Sequence, residues 1–103
     1  MLDKKKVREL AFKYADEVRN ILEPKSIILF GSYVNGNPHE YSDIDIAVIV
    51  NDFQGNWLDM AAALHGLTRR VSIDIEPHMM DEANDRSGFL AHIKKTGEII
   101  YEA

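Results

Sequence analysis

The sequence predicts a small α/β domain, a mixed β-sheet with helices packed on one face and an acidic site opening on the other. Three observations lead there. Segments with apolar residues at helical spacing alternate with short segments that are continuously apolar or apolar at every second position, the order expected when helices cover a sheet. Two of the strand-like segments carry an apolar face and an acidic face. The 103 residues, 46% hydrophobic and 28% charged, suffice for one core and show no composition shift, repeat or linker, so residues 1–103 read as a single domain.

The elements follow in order. From Asp3 to Glu23 the residues Val7, Leu10, Ala11, Tyr14, Val18, Ile21 and Leu22 recur at helical spacing, Asp3 can cap the start and Pro24 bars continuation. Ser26 to Phe30 is a short Ile-rich run closed by Gly31, the pattern of a strand buried on both faces. A loop through Pro38 comes next, with room for a helical turn beginning at Ser32. Ser42 to Val50 has period two, with Ile44, Ile46, Val48 and Val50 on one face and Asp43, Asp45, Ala47 and Ile49 on the other. Behind Asn56 as cap, Trp57, Met60, Ala61, Leu64 and Leu67 predict a second helix ending near Arg69. Val71 to Glu76 alternates again until Pro77 interrupts the ladder. A helix from about Asp85 to Lys95, with Phe89, Leu90 and Ile93 inward, stops at Gly97, and Glu98 to Tyr101 makes a terminal strand.

Charge and composition narrow the function. Twelve basic against 17 acidic residues give a net charge of −5, which disfavours stable binding to a nucleic-acid backbone by bulk charge. Lys4, Lys5 and Lys6 read as a solvated helix face. Without cysteine there is no disulfide framework, thiolate nucleophile or Cys-based zinc site. No apolar stretch approaches the roughly 20 residues of a membrane span, and the first ten residues lack an apolar signal core, so no membrane partner and a cytoplasmic location are the expectations. His39, His65, His78 and His92 lack zinc-like spacing and read as bystanders. Ala47 falls where a calcium loop beginning at Asp43 would need its third oxygen, and Ser32 lacks the setting of a hydrolase nucleophile.

What remains anomalous is the set of acids on two strands: Asp43, Asp45, Asp74 and Glu76. Asp is poorly suited to strand interiors. Carboxylates at i and i+2 share a face about 6–7 Å apart and repel unless something positive lies between them. Magnesium answers that chemistry, taking carboxylate oxygens while leaving positions for phosphate or water. If Asp74 lies on the adjacent strand, three acids can hold the ion pair, about 3.5–4 Å apart, used in phosphoryl displacement. On spacing alone the same acids can equally face water on a half-exposed sheet. Upstream, Gly31-Ser32 follows a buried strand, where backbone N–H groups and a hydroxyl can meet a phosphate, or where a tight turn simply needs them.

Taken together, FGSYVNGNPHEYSDIDIAVIV places Gly-Ser, ten residues, then Asp-x-Asp between apolar runs. This resembles the minimal nucleotidyltransferase family of the DNA polymerase β-like fold, closely over Ile27 to Val50 and more loosely over the whole chain, with Asp74 where the family has its third acid. The resemblance implies that Gly31 and Ser32 hold the β and γ phosphates of ATP or another nucleoside triphosphate. It implies that Asp43, Asp45 and Asp74 bind magnesium, as two ions, and that Asp74 helps deprotonate the acceptor hydroxyl. Glu76 shares the face of Asp74 and is the alternative third acid. One departure stands out: relatives often carry a basic residue three positions after the Ser, where this chain has Asn35. Either His39, Arg69, Arg70 or another cation takes that role, or nucleotide binding is weakened.

A chain this short has little surface left for a specific acceptor pocket, which points to a second chain. Similar proteins are often found with a small helical HEPN-domain partner, some as toxin–antitoxin pairs in which the transferase adenylylates the toxin. The expectation is therefore a magnesium-dependent nucleotidyltransferase acting on a hydroxyl of a HEPN-type protein, as its antitoxin. Self-association is left open. The alternative is a catalytically silent module that masks its partner by contact alone, and transfer to a small hydroxylated molecule ranks last.

Overall fold

The computed structural model describes residues 3–36, 43–85 and 87–103. In chain order the elements are α1 (Lys4–Val18), β1 (Ser26–Phe30), the single turn α2 (Ser32–Asn35), β2 (Ile44–Val50), α3 (Trp57–Leu67), β3 (Ile75–Asp81), α4 (Phe89–Thr96) and β4 (Glu98–Glu102), with 3-10 turns at Thr68–Arg70 and Glu82–Asn84. The four strands form one mixed sheet in the order β3-β2-β1-β4. β1 is antiparallel to both β2 and β4, whereas β2 and β3 run parallel because α3 carries the chain back between them.

On one face, α1 contributes Val7, Ala11, Tyr14 and Val18 and α3 contributes Leu64 to a core against Ile27, Leu29, Ile44, Ile46 and Val48. Tyr14 is fully buried, and its hydroxyl donates to the Leu64 carbonyl oxygen at 2.6 Å, joining the two helices. Burial pushes that phenol well above its ordinary range, so it stays a neutral donor. The predicted helical cover on one face is thus α1 and α3. α4 adds cover on the second, packing Leu90 and Ile93 on Ile28, Ala47 and Ile49. This explains why β1 and most of β2 are buried on both sides.

Three boundaries differ from the pattern reading, each for a local reason. α1 ends at Val18 instead of Glu23, because the backbone of Asn20 and Ile21 turns to i−3 bonds and the residue before Pro24 is driven out of helical geometry. The third strand runs over Ile75–Asp81 and not Val71–Glu76. Residues 71–74 close into a turn in which Val71 and Ser72 donate to the Thr68 carbonyl and the Ser72 hydroxyl accepts from Asp74 N, leaving Ile73 86% exposed. Pro77 is tolerated because β3 is an edge strand, where a missing N–H costs no ladder bond. α4 starts at Phe89 behind a left-handed Gly88, with the Asp85 carboxylate accepting from Leu90 N and Ala91 N, and Phe89 stays half-exposed.

The far end of the sheet is tied by Asp81, which accepts from Asp52 N, Phe53 N and Ala83 N at 2.8–2.9 Å. The Phe53 N–H foremost, helped by those of Ala83 and Asp52 against a desolvation cost, lowers its carboxyl below the ordinary aspartate range. No helix among the described residues is long and apolar enough to cross a membrane.

Candidate active site

β1 and β2 pair so that Phe30 lies opposite Asp45. That register sets the turn leaving β1, Gly31-Ser32, against the start of β2, where Asp43 and Asp45 stand. Gly31 has φ 87° and ψ −156°, a region open only to glycine. A Cβ there would collide with Oδ2 of Asp45 and lie 3.2 Å from its Cγ, so the carboxylate rests directly over the Gly31 backbone. The chain then makes one helical turn, α2, in which Val34 and Asn35 donate to the Gly31 carbonyl and Gly36 closes in the left-handed region. Tyr33 is buried in the main core and anchors the turn.

Asp45 continues the row of Ala47 and Ile49 on the α4 side of the sheet, at the end nearest the Gly-Ser turn. Its side chain is 26% exposed. Asp43, just ahead of β2, is exposed. Across the parallel pair, Glu76 is the lateral neighbour of Asp45, and the Asp74 carbonyl accepts from Ile44 N at 2.8 Å, which holds the turn before β3 beside Asp43 and Asp45. Asp74 and Glu76 are both exposed. The fold therefore brings Gly31, Ser32, Asp43 and Asp45 to one corner, with Asp74 and Glu76 along its β3 side. No three acids or histidines among the described residues already close into a metal cage. The donor set is nevertheless oxygen-rich and open to solvent, the chemistry a hard cation accepts.

The remaining cations divide. Arg70 pairs with Glu17 of α1 at 3.7 Å, and Arg69 is exposed. His39 lies outside the described residues. Asn35 is exposed beside the turn.

One residue set aside by sequence reasoning belongs here. His78 Nε2 lies 3.1 Å from Asp45 Oδ1. Because Asp45 is level with Glu76, His78 falls two residues further along the same face. Its ring meets Phe30 edge-on at 5.1 Å, and Phe30 in turn meets Phe89 of α4 at 6.1 Å. The signal was present as period two across Glu76 and His78, but it becomes legible only when β3 is allowed to run through Pro77.

The chain and its fold match a known class. The family described as Polymerase beta, Nucleotidyltransferase fits residues 12–103, and the chain belongs to that family. MJ1305 of Methanocaldococcus jannaschii, named as a protein adenylyltransferase, is 37% identical over 60 residues, 54% of this chain and 41% of its own length. The chain thus spans well under half of that relative. A nucleotidyltransferase structure from Sulfolobus solfataricus superposes with a TM-score of 0.69 at 18% identity, over 96% of this chain and 83% of the other. A toxin–antitoxin structure with AMP-PNP gives 0.61 at 26% identity, over 99% and 75%. A mutant of the toxin–antitoxin pair MntA-HpeT gives 0.59 at 24% identity, over the same shares.

Proposed function

We propose that this domain transfers a nucleoside monophosphate, AMP from ATP, to a hydroxyl of a protein partner, a HEPN-type toxin that it thereby silences. The observation that carries the reading is the seating of Asp45 on Gly31, fixed by the Phe30–Asp45 register, which joins a phosphate-type turn to an acid pair. The likeness to MJ1305, named as a protein adenylyltransferase, and to a toxin–antitoxin structure with AMP-PNP supports adenylate as the group and a protein as the acceptor.

In this reading the backbone N–H groups at Gly31-Ser32 and the Ser32 hydroxyl bind the β and γ phosphates and orient the triphosphate. Asp43, Asp45 and Asp74 would hold magnesium, which would supply positive charge against that gathering on the phosphoryl oxygens. Asp74 accepts the proton of the acceptor hydroxyl as its oxygen attacks the α-phosphorus in line. The bond from that phosphorus to the bridging oxygen breaks, and pyrophosphate leaves.

The test is incubation of the purified domain with α-labelled ATP, magnesium and an extract of its own host, beside Asp45→Asn. Label entering one protein band only with the native site is expected. A second reading is kept by Asn35, which places an uncharged amide where a guanidinium would neutralise phosphate. If no nucleotide gives transfer while the domain still binds and neutralises its partner, the silent masking module is the function instead.

A further inference from the structure

We infer that His78 is a positioning residue for Asp45, one that sets the plane of its carboxylate for metal and phosphate; the inference rests on the nucleotidyltransferase reading above. The geometry is a two-sided clamp. Oδ2 lies over the Gly31 backbone, where no side chain fits, and Oδ1 meets His78 Nε2 at 3.1 Å. An ionised carboxylate only accepts hydrogen bonds, so Nε2 carries the proton and donates it. One lone pair of Oδ1 is thereby taken and the carboxylate can no longer turn about its Cβ–Cγ bond, while its remaining lone pairs stay available on a side chain that is 26% exposed.

The histidine is itself held. Phe30 packs edge-on against its ring, and Phe89 packs edge-on against Phe30, so the N-terminal turn of α4 steadies the clamp through two aromatic contacts. There is also an electrostatic reason for a donor at this place. Asp45 and Glu76 are register neighbours on adjacent strands, and carboxylates side by side repel. A donor diagonal to Asp45 lessens that repulsion before any cation arrives, so the site is shaped in advance. Outer partners of metal-binding carboxylates typically change metal affinity or activity by about 10–100-fold when removed.

The experiment separates donation from packing. His78→Phe keeps an aromatic ring against Phe30 and loses the donor, whereas His78→Gln keeps a donor of similar reach and loses the ring. Binding of Mn²⁺ to each protein is measured directly by electron paramagnetic resonance, alongside adenylate transfer and thermal melting. Expected is Mn²⁺ binding weakened about 10-fold or more in His78→Phe with its melting temperature retained, and largely recovered in His78→Gln. Native-like Mn²⁺ binding by His78→Phe overturns the inference, as does equal weakening in both variants accompanied by equal loss of melting temperature. If the native protein neither binds Mn²⁺ nor transfers adenylate, the nucleotidyltransferase reading fails and the inference falls with it. If the native protein does both and His78→Phe matches it, only the inference fails.

Discussion

Gly31 is constrained twice, by its backbone angles and by the carboxylate lying over it, and the two constraints give different penalties. An L-residue at that φ costs about 1–3 kcal/mol of strain. A methyl group pressing on Asp45 also displaces a proposed metal ligand, and a misplacement of about 1 Å can cost on the order of 100-fold in rate. Gly31→Ala is therefore expected to lower transfer by about 100-fold or more while the protein still melts cooperatively, read from label incorporation beside a thermal melt. An unchanged rate would show that Asp45 does not need the bare backbone. The third acid is separable at the same scale. Asp74→Asn is expected to abolish transfer and Glu76→Gln to leave measurable transfer; the reverse pattern would move the proton-accepting role to Glu76. That Gly31-Ser32 and the Asp43/Asp45 pair deserve notice was legible in sequence because Asp is poorly suited to a strand and a Gly-Ser turn directly follows a buried one. His78 was not, since its partner stands 33 residues earlier and only the strand register brings them together.

Elements here are positioned by a few bonds at their ends. Asp81 holds the loop after β2 to the end of β3 through three N–H groups. Its folded-state pKa lies below the unfolded value of about 3.9, so its contribution is fully present above about pH 4 and is lost as pH falls through the lowered value. Asp81→Asn is accordingly expected to be less stable than the native protein at pH 7 and to lose less stability on acidification, seen as converging melting temperatures below about pH 4. Curves that stay parallel down to pH 2 would contradict it. At the other end of β1, Gly97 has ordinary dihedrals, yet a Cβ there would sit 2.5 Å from Ile28 Cγ2 and 2.8 Å from the Leu29 carbonyl. The sequence marked Gly97 correctly as a helix stop but could not show this close approach. The shift of β3 has the same origin: Pro77 reads as a breaker until the sheet order reveals that its strand is an edge.

For the molecule as a whole, α1 and α3 pack together over one face of the sheet, and Tyr14 is the polar pin between them. Tyr14→Phe keeps the ring and removes the bond to Leu64, leaving a buried carbonyl without that partner. The expected loss is about 1–3 kcal/mol, since an unmade buried bond costs its full desolvation. In a domain of this size that is a drop of roughly 4–8 °C per kcal/mol, measured by calorimetry, with transfer retained. No change in melting would show the bond to be dispensable. The mixed sheet and its main helical layer were legible from periodicity because both patterns are strong over several turns. The second cover was hidden, since Leu90 and Ile93 announce an amphipathic helix but not the side of the sheet on which it lies.

β1 pairs with β2 on one side and with β4 on the other, and β4 follows β2 only after about half the chain. During synthesis at roughly 5–20 residues per second, the strand that leads into Gly31 precedes its second neighbour by on the order of seconds. Throughout that interval the Gly-Ser turn follows a strand with one edge unpaired, while Asp45 stands on its neighbour β2. Because β1 is a central strand, the sheet is complete only when Glu98–Glu102 is available to pair with it.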